Sequence, residues 1–366
     1  MESRRFIGSV LVAAFAVAAV GAYLYYRKSF TPAAPTSSKF TQDYATARFL
    51  HSQGQFDESI AQFSQVVQEA PTTSLATEVK LRLAYDLFSR NAGDDRIRAI
   101  GIYKDIIADE KLDPSLRATA YRNLGLSTQD YVTSDFVKKY IFNDGRYATF
   151  LAEAEGSLLR ASNRLFEESE KLHPTALAKL EIARFFAVAI TDKSLESQLT
   201  VSQKAERIEQ YVKDSAPLMD APYYSNSKKA LIYQVRAIVL DASTDILENR
   251  PLQDIEANYK QAISIADALS GNDIYTKDVA MQSRLWYAMF LAHRFGASRL
   301  KDIKETLLPI ISLDETKDPL TAKGIDGYLN NLSFRPTNSY SRIQLLAVAR
   351  MIPEFKTLLI KNGWKI

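Results

Sequence analysis

Apolar residues fall into two patterns along this chain. From Phe6 to Tyr26 they make one run, FIGSVLVAAFAVAAVGAYLYY, with Arg4-Arg5 before it and Arg27-Lys28 behind it. Beyond residue 40 they return every three or four positions, the period of one helix face. The run of 21 residues, at about 1.5 Å each, reaches about 31 Å, which matches the hydrocarbon thickness of a bilayer. It predicts a single transmembrane helix. The run is longer than the apolar region of a cleaved signal and closes on Tyr23, Leu24, Tyr25 and Tyr26, residues suited to a headgroup interface. An uncleaved anchor is therefore expected over residues 1–28, in contact with lipid through residues 6–26. Basic residues tie across the span, so orientation rests on the short N-terminal tail staying inside, which leaves the body extracytoplasmic.

Residues 29–40, SFTPAAPTSSKF, combine two prolines with serine, threonine and alanine, the composition of a flexible linker. Helical periodicity follows. In the segment 45–71, Ala47 and Leu50 fall on one first-helix face and Gly54 on a turn, before Phe56, Ile60, Phe63 and Val67 mark a second helix that ends at Pro71. Asp57 and Glu58 add acid to the first turn of that second helix, where the dipole favours it. A second unit carries Leu81, Ala84, Tyr85 and Phe88, the turn Asn91-Ala92-Gly93-Asp94, then Ala99, Ile100, Tyr103, Ile106 and Ile107. A third first helix is expected over 118–126, with Tyr121, Leu124 and Gly125.

These units resemble the tetratricopeptide repeat, two antiparallel helices meeting at a small-residue turn. Phe63 and Tyr103 hold equivalent places 40 residues apart, a longer period than the family's, and Ser59 stands where the family prefers alanine. The resemblance marks 41–126 as the repeat region and is specific over about 45–126. Repeat phase then fades, and further amphipathic helices are expected at 148–171, 175–191, 196–214, 228–248, 252–269, 276–294, 299–311, 318–332 and 338–350, with a short one from Pro353. Single hairpins cannot bury their faces alone, so an all-α solenoid running through 127–366 is the expected architecture.

In this family the first helix of each repeat lines a concave groove that holds a peptide or an extended segment of a partner. Carried over by position, the resemblance places Tyr44, Arg82 and Arg122 on that groove. Arg48 lies one turn beyond Tyr44, and Arg90 at the far end of the second repeat's first helix. Such a row could clamp a carboxylate or an acidic segment, because guanidinium binds carboxylates bidentately. The competing reading is a solvated helix face, with Asp86 four residues after Arg82 as an ordinary surface pair. His51 shares the face of Arg48 and reads as an incidental surface histidine. The stripe Leu285, Trp286, Met289, Phe290 and His293 reads as core.

Charge narrows the partner classes. The chain has 46 basic and 43 acidic residues; residues 1–28 hold four of the former and one of the latter, so the body balances at 42 of each. A nucleic-acid-binding body shows a basic excess, and this one has none. The absence of cysteine excludes acylation as a lipoprotein, disulfides and thiol chemistry, and the three histidines stand apart with no metal-ligand spacing. No glycine-rich phosphate loop or GxSxG motif is present, so no enzyme, cofactor or metal is expected. The expectation is a membrane-anchored scaffold or adaptor for a protein partner, similar to bacterial inner-membrane repeat proteins that assist envelope or secretion assembly. A self-assembling structural subunit and an α-helical enzyme are the alternatives.

Overall fold

Helix ends in this chain are written in its side chains. Thr72 accepts a hydrogen bond from the Leu75 amide at 3.2 Å, Asp113 from Ser115 at 2.7 Å, and Ser157 from Arg160 at 3.3 Å. Thr200 and Gln203 form a reciprocal capping box. In the computed structural model, residues 38–128, 134–191, 199–222, 224–244, 251–269, 274–333 and 340–366 are described. They form α1 (Ser38–Ser52), α2 (Phe56–Glu69), α3 (Thr73–Arg90), α4 (Asp95–Ala108), α5 (Pro114–Ser127), α6 (Ser134–Tyr140), α7 (Gly145–Glu153), α8 (Leu158–Leu172) and α9 (Ala176–Thr191). There follow α10 (Val201–Ser215), α11 (Asn226–Ser243), α12 (Leu252–Ala268), α13 (Ile274–Phe295), α14 (Leu300–Ile311), α15 (Pro319–Ser333), α16 (Tyr340–Met351) and α17 (Pro353–Lys361). No strand occurs among the described residues.

Consecutive helices pack on one another. α1 meets α2, α2 meets α3, α3 meets α4, and α4 meets α5. Gly54 makes the first hairpin turn with φ +68, a left-handed backbone that glycine adopts without a Cβ penalty. Phe63 and Tyr103, the equivalent second-helix positions, are both buried, and Ile60, Val66, Ile100 and Ile107 line the same core. Ser38 to Phe40, expected in the linker, belong to α1, and Phe40 is buried. The helix expected over 148–171 is broken between α7 and α8, where Glu155 (φ 51) and Gly156 (φ 79) turn left-handed. The fold is helical, with repeated packing between consecutive helices.

α5 packs mainly on α8, so α6 and α7 form an insertion between the two helices of a hairpin. Gly125 on α5 allows this contact, since a Cβ there would lie 3.0 Å from the Phe166 ring. α8 also joins two apolar cores: Leu165 belongs to one that begins at Phe40, and Phe166 to one that ends at Trp364. In the second core α13 is the central element, contacted by α11, α12, α14, α15 and α16. Leu285, Met289 and Phe290 of the expected core stripe have no exposed surface. Trp286 Nε1 donates to Tyr328 Oη at 2.8 Å, whereas His293 faces solvent. Asp241 ties α11 to α13 and α16: Arg294 Nε donates to its Oδ1 at 2.9 Å and Gln344 Nε2 to its Oδ2 at 3.0 Å.

The expected single-pass membrane architecture is corrected. Among the described residues no helix is long and apolar enough to cross a membrane. The longest ones carry charge along their length: Glu78, Lys80, Arg82 and Asp86 in α3, Lys228, Arg236 and Asp241 in α11, and Lys277, Asp278 and Arg284 in α13. The run Phe6–Tyr26, on which that expectation stood, lies outside the described residues. The inner-membrane localisation falls with it.

Candidate partner-binding surface

Position 44 of α1 and position 82 of α3 were expected on one face, and the structure brings them into contact. Tyr44 Oη donates to Glu78 Oε1 at 2.7 Å and accepts from Arg82 Nε at 2.9 Å. Arg82 also approaches the same Glu78 oxygen at 3.4 Å. Burial raises the Tyr44 pKa, aided by Glu78 and opposed by Arg82. Burial works against the charge of Arg82 too, but Tyr44 and Glu78 outweigh it and its pKa rises. The Arg48 guanidinium lies 5.9 Å from the Tyr44 ring centroid, and Arg48 itself is exposed.

Arg122 on α5 is half-buried and poorly satisfied. Its Nε is buried without a hydrogen-bond partner, and its Nη1 reaches only the neighbouring Asn123 at 3.4 Å. Burial lowers its pKa; Glu181 and Tyr224 oppose that, and Arg184 adds to it. Glu181 on α9 is committed elsewhere, in an ion pair with Arg184 at 2.6 Å that lacks hydrogen-bond alignment. Neither Arg82 nor Arg122 takes up the Asp86 carboxylate.

One lysine from the other half of the chain feels the charges of these two arginines. Lys228, on the first turn of α11, makes no ion pair among the described residues, and water reaches it. Crowding by surrounding protein, then the charges of Arg122 and Arg82, push its ammonium down to about 8. Sequence reasoning missed Lys228, because repeat phase had faded there and nothing in its neighbourhood marks it.

The fifth expected residue, Arg90, is consumed by the fold. Its Nε and Nη2 grip Asp95 at 2.7 and 2.8 Å, and its Nη1 bonds Asp57 at 2.6 Å. Asp95 also accepts from the Ala92 amide at 3.0 Å, so Arg90 locks the turn between α3 and α4 and offers no free fork. His51, expected on the surface, is buried instead. Its Nδ1 pairs with Asp86 Oδ1, and Ser59 Oγ donates to Asp86 Oδ2. Serine and histidine thus meet the same carboxylate rather than each other. Asp86 has no exposed surface and joins α1, α2 and α3.

Nothing else described offers a better site. No group of three or more histidine and carboxylate side chains is placed to hold a metal ion among the described residues. An open cavity of about 620 Å³ is lined by Lys260, Asp267, Arg284, Tyr287, Arg299 and Asp302. Its charges are already matched, Arg284 with Asp267, Arg299 with Glu256 and Asp302, and Lys260 with Glu256. In comparisons with known proteins, no family model, curated protein or solved structure matches the chain. The class rests on the fold: an all-helical protein of consecutively packed helices.

Proposed function

We propose that this protein is a helical-repeat scaffold or adaptor, tetratricopeptide-like over residues 41–126, that holds a segment of a protein partner on its inner surface. The observation that carries this reading is the contact of Tyr44 with Arg82 on the first helices α1 and α3, beside an Arg122 on α5 whose Nε the fold leaves without a partner. Half-buried arginines with free donors are hot-spot material at interfaces, and Arg48 on the Tyr44 ring extends the same surface. Arg90 has no part in it. The balanced charge of residues 29–366 argues against nucleic acid as the partner.

The test is crosslinking of the full-length protein in its own cell, beside the double charge reversal Arg82→Glu with Arg122→Glu. A discrete set of crosslinked proteins that is lost in the variant, with helical circular dichroism unchanged, is the expected result. An identical set from both proteins overturns the assignment of the surface. Recovery of self-crosslinks alone replaces the adaptor with a self-assembling subunit.

A further inference from the structure

Asparagine followed by glycine occurs once in this chain, at Asn362–Gly363, and the C-terminal closure is built on that dipeptide. α17 ends there in a pair of backbone bonds: the Gly363 amide donates to Ile360 O at 3.1 Å and the Trp364 amide to Leu359 O at 3.1 Å. Such an ending needs a left-handed residue just past the cap, and Gly363 supplies it at φ +84. Asn362 takes the cap position. Its Nδ2 donates to Asp326 Oδ1 of α15 at 2.9 Å and to Leu358 O at 3.0 Å. Beyond the turn, the buried Trp364 indole donates to Leu329 O at 2.9 Å, and the Arg342 guanidinium of α16 lies 5.0 Å from its ring centroid. Asn362, Gly363 and Trp364 thus latch the end of α17 onto α15 and α16.

Asparagine before glycine is open to intramolecular deamidation, because glycine has no Cβ to hinder the attack. The Gly363 amide nitrogen, once deprotonated, attacks Asn362 Cγ. The bond from Cγ to Nδ2 breaks, and the nitrogen leaves as ammonia with a proton from solvent. Water then opens the succinimide ring to give aspartate or, with one more methylene in the main chain, isoaspartate. Gly363 and the two residues after Trp364 are exposed, so water reaches the turn. In the closed turn both reacting groups are held, the nitrogen through its hydrogen on Ile360 and the carboxamide through Asp326 and Leu358. Attack waits for the last turn of α17 to open.

We propose that Asn362–Gly363 is a deamidation site kept closed by this latch, and that its conversion releases the latch. A carboxylate at position 362 accepts hydrogen bonds and cannot donate to Asp326 or Leu358. It also sets a negative charge against Asp326, where the carboxamide now donates at 2.9 Å. Lys361 lies 3.3 Å from Asp326 Oδ2 and offsets part of that repulsion, but it is already shared with Glu315. Isoaspartate goes further, since its longer main chain carries Gly363 and Trp364 out of register with Ile360 and Leu359. Opening permits conversion and conversion favours opening, so the site works in one direction.

The test ages the purified full chain in mildly alkaline buffer and maps its peptides by mass spectrometry. Conversion at Asn362 should run at least about tenfold slower in the folded chain than in the same chain unfolded by urea. Asp326→Ala removes one anchor of the carboxamide and should speed conversion of the folded chain several-fold. Equal rates in folded and unfolded chains overturn the guard, no conversion in the unfolded chain overturns the site, and an unchanged rate in Asp326→Ala overturns the part given to Asp326. The release is read by hydrogen exchange. As the wild type ages, α17 should lose protection in step with the converted fraction, while α1 to α4 keep theirs. Asn362→Gln carries its carboxamide on a longer side chain that closes the ring far more slowly, and its α17 should hold its own starting protection over the same time. Equal loss in both proteins, or an α17 that stays protected after conversion, overturns the release.

Discussion

The two ends of this helical array use the same hairpin packing and arrive at opposite surfaces. At the N-terminal end, α3 and α5 leave Arg82 and Arg122 half-buried and reachable. At the C-terminal end, α13 packs against α11, α12, α14, α15 and α16, and its Leu285, Met289 and Phe290 are sealed. The difference lies in whether the chain returns over its own inner helices. Where α15, α16 and α17 pack back on α13 and α14, an inner face becomes core; on α5 Arg122 keeps an unspent donor. Recognition is expected at the first end, and stability at the second.

Breaking the closed end should have the largest effect. Asp241 is almost fully buried and holds Arg294 and Gln344 from two other helices. Asp241→Ala strands both donors and should cost about 3 kcal/mol, measured by chemical denaturation at constant slope. Capture of the partner, assayed below the unfolding transition, should be untouched. If capture collapses along with stability, the two ends do not divide the labour as described.

The matching lesion at the open end is smaller. Asp86→Ala removes the acceptor shared by His51 and Ser59 and should cost about 2 kcal/mol. Native-state hydrogen exchange should place the loss of protection in α1 to α4 and leave α13 protected. Uniform loss across both regions would mean that the array unfolds as one unit.

How much of this was readable from the chain follows from the range of each signal. Apolar spacing is local, and it located helices well: the one expected at 175–191 spans Ala176–Thr191, and that at 252–269 spans Leu252–Ala268. It failed at residues 154–157, where AlaGluGly looks like helix with one glycine, because a left-handed Glu155 leaves no mark in periodicity. Of the expected site residues, Tyr44 and Arg82 meet across α1 and α3. Arg90 did not survive, since Asp57 and Asp95 come to it from neighbouring helices. Ser59 looked like a minor departure from the repeat pattern, and His51 like a surface residue; both are explained by Asp86, which reaches them only after three helices pack. Lys228 is the extreme case. The charges that bear on it, those of Arg122 and Arg82, lie far away in sequence, and no local pattern announces them.

The mildest change sharpens the comparison most. Tyr44→Phe deletes one hydroxyl that stands between Glu78 and Arg82, both of them partly solvated. Water can replace that hydroxyl at both partners, so stability should fall by less than about 1 kcal/mol. Its consequence for recognition is larger in proportion. Arg82 loses the acceptor that fixes its Nε and is free to swing toward Glu78. Capture by Tyr44→Phe should therefore weaken several-fold, by about the worth of one oriented hydrogen bond. In a double-mutant cycle with Arg82→Ala the two losses should not add, because they remove the same positioned guanidinium. Additive losses would place Tyr44 in direct contact with the partner instead, and equal loss of stability and capture would return both residues to a purely structural role.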